Sequence, residues 1–126
     1  MYQNQLNAYK MVDNSTMSGA ETEARVLTKA ASMLRECQAE WDVSGGDVQL
    51  TDALKYNQKI WTIFQGELAR DDNPLPRQLK RNLLMLSALV DKRIFETMAY
   101  PAPEKLDMMI RINENIAAGL RGGPGG

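Results

Sequence analysis

Apolar side chains return every third or fourth residue through four successive stretches of this chain, and glycine or proline interrupts the pattern between them. No other feature constrains the fold as much. A helix turns once in 3.6 residues, so this spacing lines one helical face, whereas a half-buried strand would alternate at every second residue. Within 18–41 the stripe is Leu27, Ala30, Ala31, Leu34, Cys37 and Trp41, and Ser18 with Glu21 has the S-x-x-E form of a capping box at its start. Within 51–70 it is Leu54, Ile60, Trp61, Phe64 and Leu68, with Asn57 inside it and Thr51-Asp52 reading as N-cap and first turn. A third stripe opens at Pro76 or Arg77 and carries Leu79, Leu83, Leu86, Val90, Ile94 and Met98. The fourth opens at Pro103-Glu104 and carries Leu106, Met109, Ile110, Ile116, Ala117 and Leu120.

The breaks are equally legible. Adjacent glycines interrupt 43–47, and each costs a helix about 1 kcal/mol. Residues 71–76, Asp-Asp-Asn-Pro-Leu-Pro, form a turn: Asn and Asp bond their own backbone, and each proline turns its predecessor away from helix. A third break is Tyr100-Pro101-Ala102-Pro103. Leu6 and Tyr9, with Met11 or Val12, add a short helix at the front. The pattern predicts an all-α fold, a compact helical bundle of four main helices plus a short N-terminal helix. It forms one domain over 1–120, followed by a flexible glycine-rich tail at 121–126. Helices this short are marginal alone, so the stripes must hold them together. A buried Leu or Ile contributes about 1.5–3 kcal/mol, against a few tenths for an exposed ion pair one turn away.

Composition then narrows the function. Among 126 residues there is no His and a single Cys, so the commonest general base, the commonest zinc ligand and any internal disulfide are missing. No serine has a base to activate it, and no glycine-rich phosphate loop or EF-hand spacing occurs. Cys37 sits on an apolar stripe, where a buried, inert thiol is the default reading. Glu21 with Glu23 suits a helix's first turn and Asp71 with Asp72 suits a turn; neither pair has the spacing of a metal site. The expectation is a non-enzyme without cofactor or metal. The apolar runs, such as 83–86, fall far short of the ~18 residues that span a bilayer, and the first residues lack a secretory signal's apolar core. A cytoplasmic protein with no membrane insertion is expected.

Three features could meet a partner. Arg77, Lys80, Arg81, Lys92 and Arg93 cluster with a single acid, Asp91, between the first and last of them. Arg77, Lys80 and Arg81 could touch RNA or an acidic partner, but a solvated helix face is the default, and no stacking aromatics are interleaved. Asn57 and Asn113 both interrupt apolar stripes, either as satisfied amides that fix helix register or as groups facing a bound peptide. Eight methionines could supply adaptable apolar surface for a helical partner, although filling gaps in a core is their commoner use.

The ordered pieces resemble a known family. MYQNQLNAY, KAASML, ALKYNQKIWTIFQGELA, DDNPLP, LLMLSALVDKRIFE and PEKLDMMIRINENIAAGL together are similar to the bacterial flagellar biosynthesis regulator FlaF family over nearly the whole chain. YNQKIWTIF, NPLP and INENIAAGL carry the specificity jointly. The resemblance implies a small cytoplasmic, non-enzymatic protein needed for flagellin production and export. It would act as a flagellin-directed chaperone or regulator together with the flagellin-translation regulator FlbT, which is linked to flagellin messenger RNA. The family provides no catalytic motif to transfer. A cytoplasmic helical domain of this kind could mask an apolar flagellin helix in a groove. The groove is expected on the second and last main helices, at Tyr56, Asn57, Ile63, Met108, Ile112 and Asn113, the apolar or amide groups on or beside the stripes. The competing expectation is a post-transcriptional regulator acting through FlbT and flagellin mRNA, with Arg77, Lys80 and Arg81 as its contacts and direct nucleic-acid binding disfavoured.

Overall fold

The computed structural model describes residues 19–41 and 47–122, and the elements there are helical throughout. Helix α1 runs Gly19–Ala39, α2 Asp47–Leu68, α3 Arg77–Ala99 and α4 Asp107–Leu120, with a short 3₁₀ turn at Pro103–Leu106 leading into α4. Among the described residues there is no strand, and the chain is all-α. The expected short helix around Leu6 and Tyr9, the Ser18 cap and residues 123–126 lie outside the described residues.

α1 is the central element, packing on α4 most extensively and on α2 as well. Its stripe is wide for that reason: Ala24, Leu27, Ala30, Ala31, Leu34 and Cys37 are all buried. Small residues at 24, 30 and 31 let neighbouring helices approach closely, while Leu27 and Leu34 fill the space between them. α1 and α4 run antiparallel, because Gln38 donates to Asp107 Oδ1 (2.6 Å) at one end and Arg121 donates to Thr28 Oγ1 (3.0 Å) at the other. Arg35 and Glu114 close the middle of this seam with a two-pronged ion pair at 2.7 and 2.8 Å.

α2 begins at Asp47, four residues ahead of the expected Thr51 cap. Leu50 explains the extra turn, since it is buried and would be stranded outside a helix starting at Thr51. α3 packs on α2 and touches the 3₁₀ turn, with no extensive contact to α1 or α4. A single flanking helix covers only a narrow strip, so Val90 and Ile94 are fully buried, Leu83 and Leu86 are half-buried, and Leu79 and Met98 are exposed. The expected six-residue core stripe of α3 is therefore corrected at both ends. Two hydroxyls complete the buried strip by returning bonds to their own helix, Ser87 to the Leu84 carbonyl and Thr97 to the Arg93 carbonyl.

The start of α3 agrees with the sequence: Pro76 occupies the cap and Arg77 the first turn. The last helix does not open directly at Pro103. Proline starts a 3₁₀ turn there, and the α-helical bonding begins only at Asp107.

Candidate functional site

The site grows outward from one indole. Trp61 on α2 is buried, and its Nε1–H can only donate. It donates to Asn113 Oδ1 on α4 at 2.9 Å, which leaves the Asn113 amide nitrogen to donate to Asn57 Oδ1 at 2.7 Å. Asn57 in turn must donate, and its nitrogen meets the backbone carbonyls of Ala53 (2.9 Å) and Ala30 (3.2 Å). Three helices are thereby tied through one polarised relay whose direction the tryptophan dictates. Both asparagines are 0% exposed and make these hydrogen bonds within the domain, as the reading of satisfied internal amides expects.

Phe64 stands one turn beyond Trp61 and meets it edge to face, centroids 5.9 Å apart and planes at 85°. Beyond Phe64 the chain leaves α2 through the 71–76 turn, which Asn73 organises. Its side-chain nitrogen donates to the Glu67 carbonyl at the C-terminal end of α2 (2.9 Å), and its oxygen accepts from the Leu75 amide (3.0 Å). Arg70 braces the turn with two bonds to Asp72, at 2.8 and 2.9 Å. The turn holds Pro74 and Leu75 opposite the ends of α1 and α4, and the space between is an open cleft of about 380 Å³. Leu27 from α1, Trp61, Phe64 and Leu68 from α2, Leu83 from α3, and Ile116 and Leu120 from α4 line it, and Glu23 and Glu67 are also among the lining residues. All four helices contribute. Phe64, Ile116 and Leu120 remain half-buried because they wall this space instead of filling a closed core. An apolar hollow with a few acidic groups can take large apolar side chains, and its volume suits two or three of them.

The residues expected to form a partner groove divide. Asn57 and Asn113 are internal, as above. Ile63, which lies beside the stripe, is buried at 7% exposure, so α2 is covered over a wider arc than its stripe alone suggested. Tyr56 is half-buried with the Lys29 ammonium 5.2 Å from its ring centre. Met108 and Ile112 are half-buried on α4 and begin the row of fourth residues that ends in Ile116 and Leu120. None of the six lines the cleft, whose walls on these two helices include Phe64 and Leu68 on α2 and Ile116 and Leu120 on α4.

Of the basic cluster, Arg77 and Arg81 are exposed on α3, while Lys80 is half-buried with its ammonium 3.5 Å from the Asn73 carbonyl. The sequence reading passed over what lies between the exposed cations. Met85, Leu89 and Phe95 are 67, 48 and 63% exposed, and with Arg77, Arg81 and Lys92 they lie on the side of α3 turned away from Val90 and Ile94. The signal was present as apolar residues at positions the core stripe does not use. Cys37 is buried, and burial pushes its thiol above the ordinary range. Among the described residues no group of three His, Cys, Asp or Glu side chains could hold a metal ion, and no helix is long and apolar enough to cross a membrane.

Comparison with known families matches the chain to one described as flagellar protein FlaF, over residues 5–120. No curated protein and no solved structure matches the chain. The family match takes in all four helices, the Asn73 turn and every residue of the cleft, and the chain belongs to the FlaF family of flagellar proteins.

Proposed function

We propose that this flagellar protein is a non-enzymatic, cytoplasmic secretion chaperone. It binds flagellin, masks an apolar helical segment, and so promotes flagellin production and export. The observation that supports this reading is the open cleft walled by Leu27, Phe64, Leu68, Leu83, Ile116 and Leu120. A solvent-open hollow with such walls is costly to leave empty and suits the apolar face of a helix, which presents anchors at i, i+3, i+4 and i+7. Binding of this kind draws on apolar burial, so it survives salt and carries a negative heat-capacity change.

Calorimetric titration with monomeric flagellin at low and high salt tests it, using the wild type beside Phe64→Glu and Leu120→Glu. Both side chains are half-buried at the cleft, so the variants should retain native helicity. Saturable binding that persists in salt and is lost in both variants is expected. Affinity unchanged by either substitution would remove the cleft from the reading.

A second reading, regulation through FlbT and flagellin mRNA, is favoured by the outer side of α3. There Met85, Leu89 and Phe95 share the exposed side with Arg77, Arg81 and Lys92, a surface suited to an acidic partner protein. Loss of FlbT binding in Phe95→Asp, with flagellin binding intact, would assign that side to the regulator.

A further inference from the structure

We propose that residues 2–12 of this chain are an internal occupant of the apolar cleft, so that a client must displace them to bind. The inference rests on the cleft being the client site, and three observations carry it. First, the family match begins at residue 5, so residues 5–12 of the segment belong to the region shared with the family. Second, Tyr2, Leu6, Tyr9 and Val12 recur at intervals of three and four, the spacing with which a helix presents one apolar face. Lys10 is the only Lys or Arg among residues 1–18, and its charge is opposite to that of Glu23 and Glu67, which are among the residues lining the cleft. Third, the segment joins the domain at the right place. α1 starts at Gly19, and Glu23, one turn later, already lines the cleft. The six residues 13–18 between Val12 and Gly19 can span up to about 20 Å, which is ample to turn the apolar residues back over that wall.

Chain linkage gives such a segment a high effective concentration, so even weak contacts keep it seated. Occupation in this way would shield Phe64, Ile116 and Leu120 from unrelated apolar surfaces while no client is present. It also weakens client binding by the fraction of molecules left open: if about one molecule in ten is open, the apparent affinity falls about tenfold.

The test uses the full chain with a nitroxide on Asn4→Cys in a Cys37→Ala background, and reads backbone amide signals with the label oxidised and reduced. Loss of signal is expected at Phe64, Leu68, Ile116 and Leu120, with none at Gln38 and Ala39 on the far end of α1. Adding Leu6→Asp and Tyr9→Asp should restore the lost signals. Signals equal in both label states, or loss confined to the outer side of α3, overturn the proposal. Flagellin titrated against both N-terminal forms completes the test, with a gain of about tenfold expected when the segment is released. Should the cleft signals behave as expected while flagellin binds neither form, the internal occupant stands and the chaperone reading falls. Equal flagellin affinity for both forms, despite release of the segment, overturns the competition.

Discussion

Removing Asn113 should cost more than its own hydrogen bonds, because it stands in the middle of a relay. In Asn113→Ala the Trp61 Nε1–H loses its acceptor and Asn57 Oδ1 loses its donor, both in sites where the three side chains are 0–2% exposed. Each orphaned buried group costs at least about 1 kcal/mol, so the hydrogen-bond part of the loss is about 2 kcal/mol or more. Asn57→Ala orphans chiefly the Asn113 nitrogen, because the Ala30 and Ala53 carbonyls also serve their own helices; its hydrogen-bond cost is about 1 kcal/mol. The double variant leaves only the indole N–H unpaired, again about 1 kcal/mol. The two single losses should therefore exceed the double loss by about 2 kcal/mol, while the cavity left by each shortened side chain enters both sides and cancels.

Urea unfolding of the four proteins, followed by helical circular dichroism, measures this directly. The predicted single losses are a large share of the about 5–15 kcal/mol that holds a typical domain together, so the midpoint shifts will be plain. Additivity within about 0.5 kcal/mol would refute the relay and leave three independent polar contacts. The cycle also bears on function, because Trp61 is part of the cleft wall. An untethered indole should loosen that wall and weaken client binding even where the fold survives.

Further outcomes follow from single sites. Cys37 is buried with its thiol pushed up by desolvation first and by Glu36 and Glu40 next, so a thiol reagent should label the native chain far more slowly than the urea-unfolded one. Glu114 is held below the ordinary glutamate range by its hydrogen bond from Arg35 and then by that charge, so it binds fewer protons folded than unfolded. Its contribution is complete above the unfolded value and is lost as pH falls through the lowered one; the acid side of a stability profile should flatten slightly in Glu114→Gln, the effect being small because both partners are well exposed. Met85→Asp should change stability by no more than about 0.5 kcal/mol, since the side chain is 67% exposed, and a large drop in unfolding midpoint would show that α3 has a neighbour on that side.

What could be read from the sequence depended on how many neighbours each helix has. On α1, flanked by α2 and α4, every expected stripe residue from Leu27 to Cys37 is buried, because two neighbours cover a wide arc. On α3, with one main neighbour, the same kind of stripe overran the contact: Leu79 and Met98 keep the helical period but pass the end of what covers them. Periodicity reports which way a side chain points, and says nothing about whether another helix is there to receive it. The turn was legible for the opposite reason. Asn73 and the prolines act on backbone within a few residues, so their chemistry does not wait for tertiary partners.

The same limit explains why the residues expected to form a groove are not the ones that line the cleft. Phe64, Ile116 and Leu120 lie in stripes that read as core, and no property of a leucine distinguishes a wall of an open hollow from the filling of a closed one. The distinction comes from geometry that accumulates along the helix. A row of every fourth residue turns about 40° per step around the axis. Met108, Ile112, Ile116 and Leu120 therefore sweep steadily across α4 toward one end of the domain, where the Asn73 turn holds Pro74 and Leu75 across the gap. The asparagines are buried inside the domain for a related reason. An amide within an apolar stripe signals an interrupted surface only if nothing inside can satisfy it, and here Trp61 on the same stripe supplies a donor four residues from Asn57. Asn57, Trp61 and Asn113 should thus be read as a single unit: a donor-only indole amid two amides predicts an internal relay, and the cleft lies where that relay ends and the half-buried rows continue.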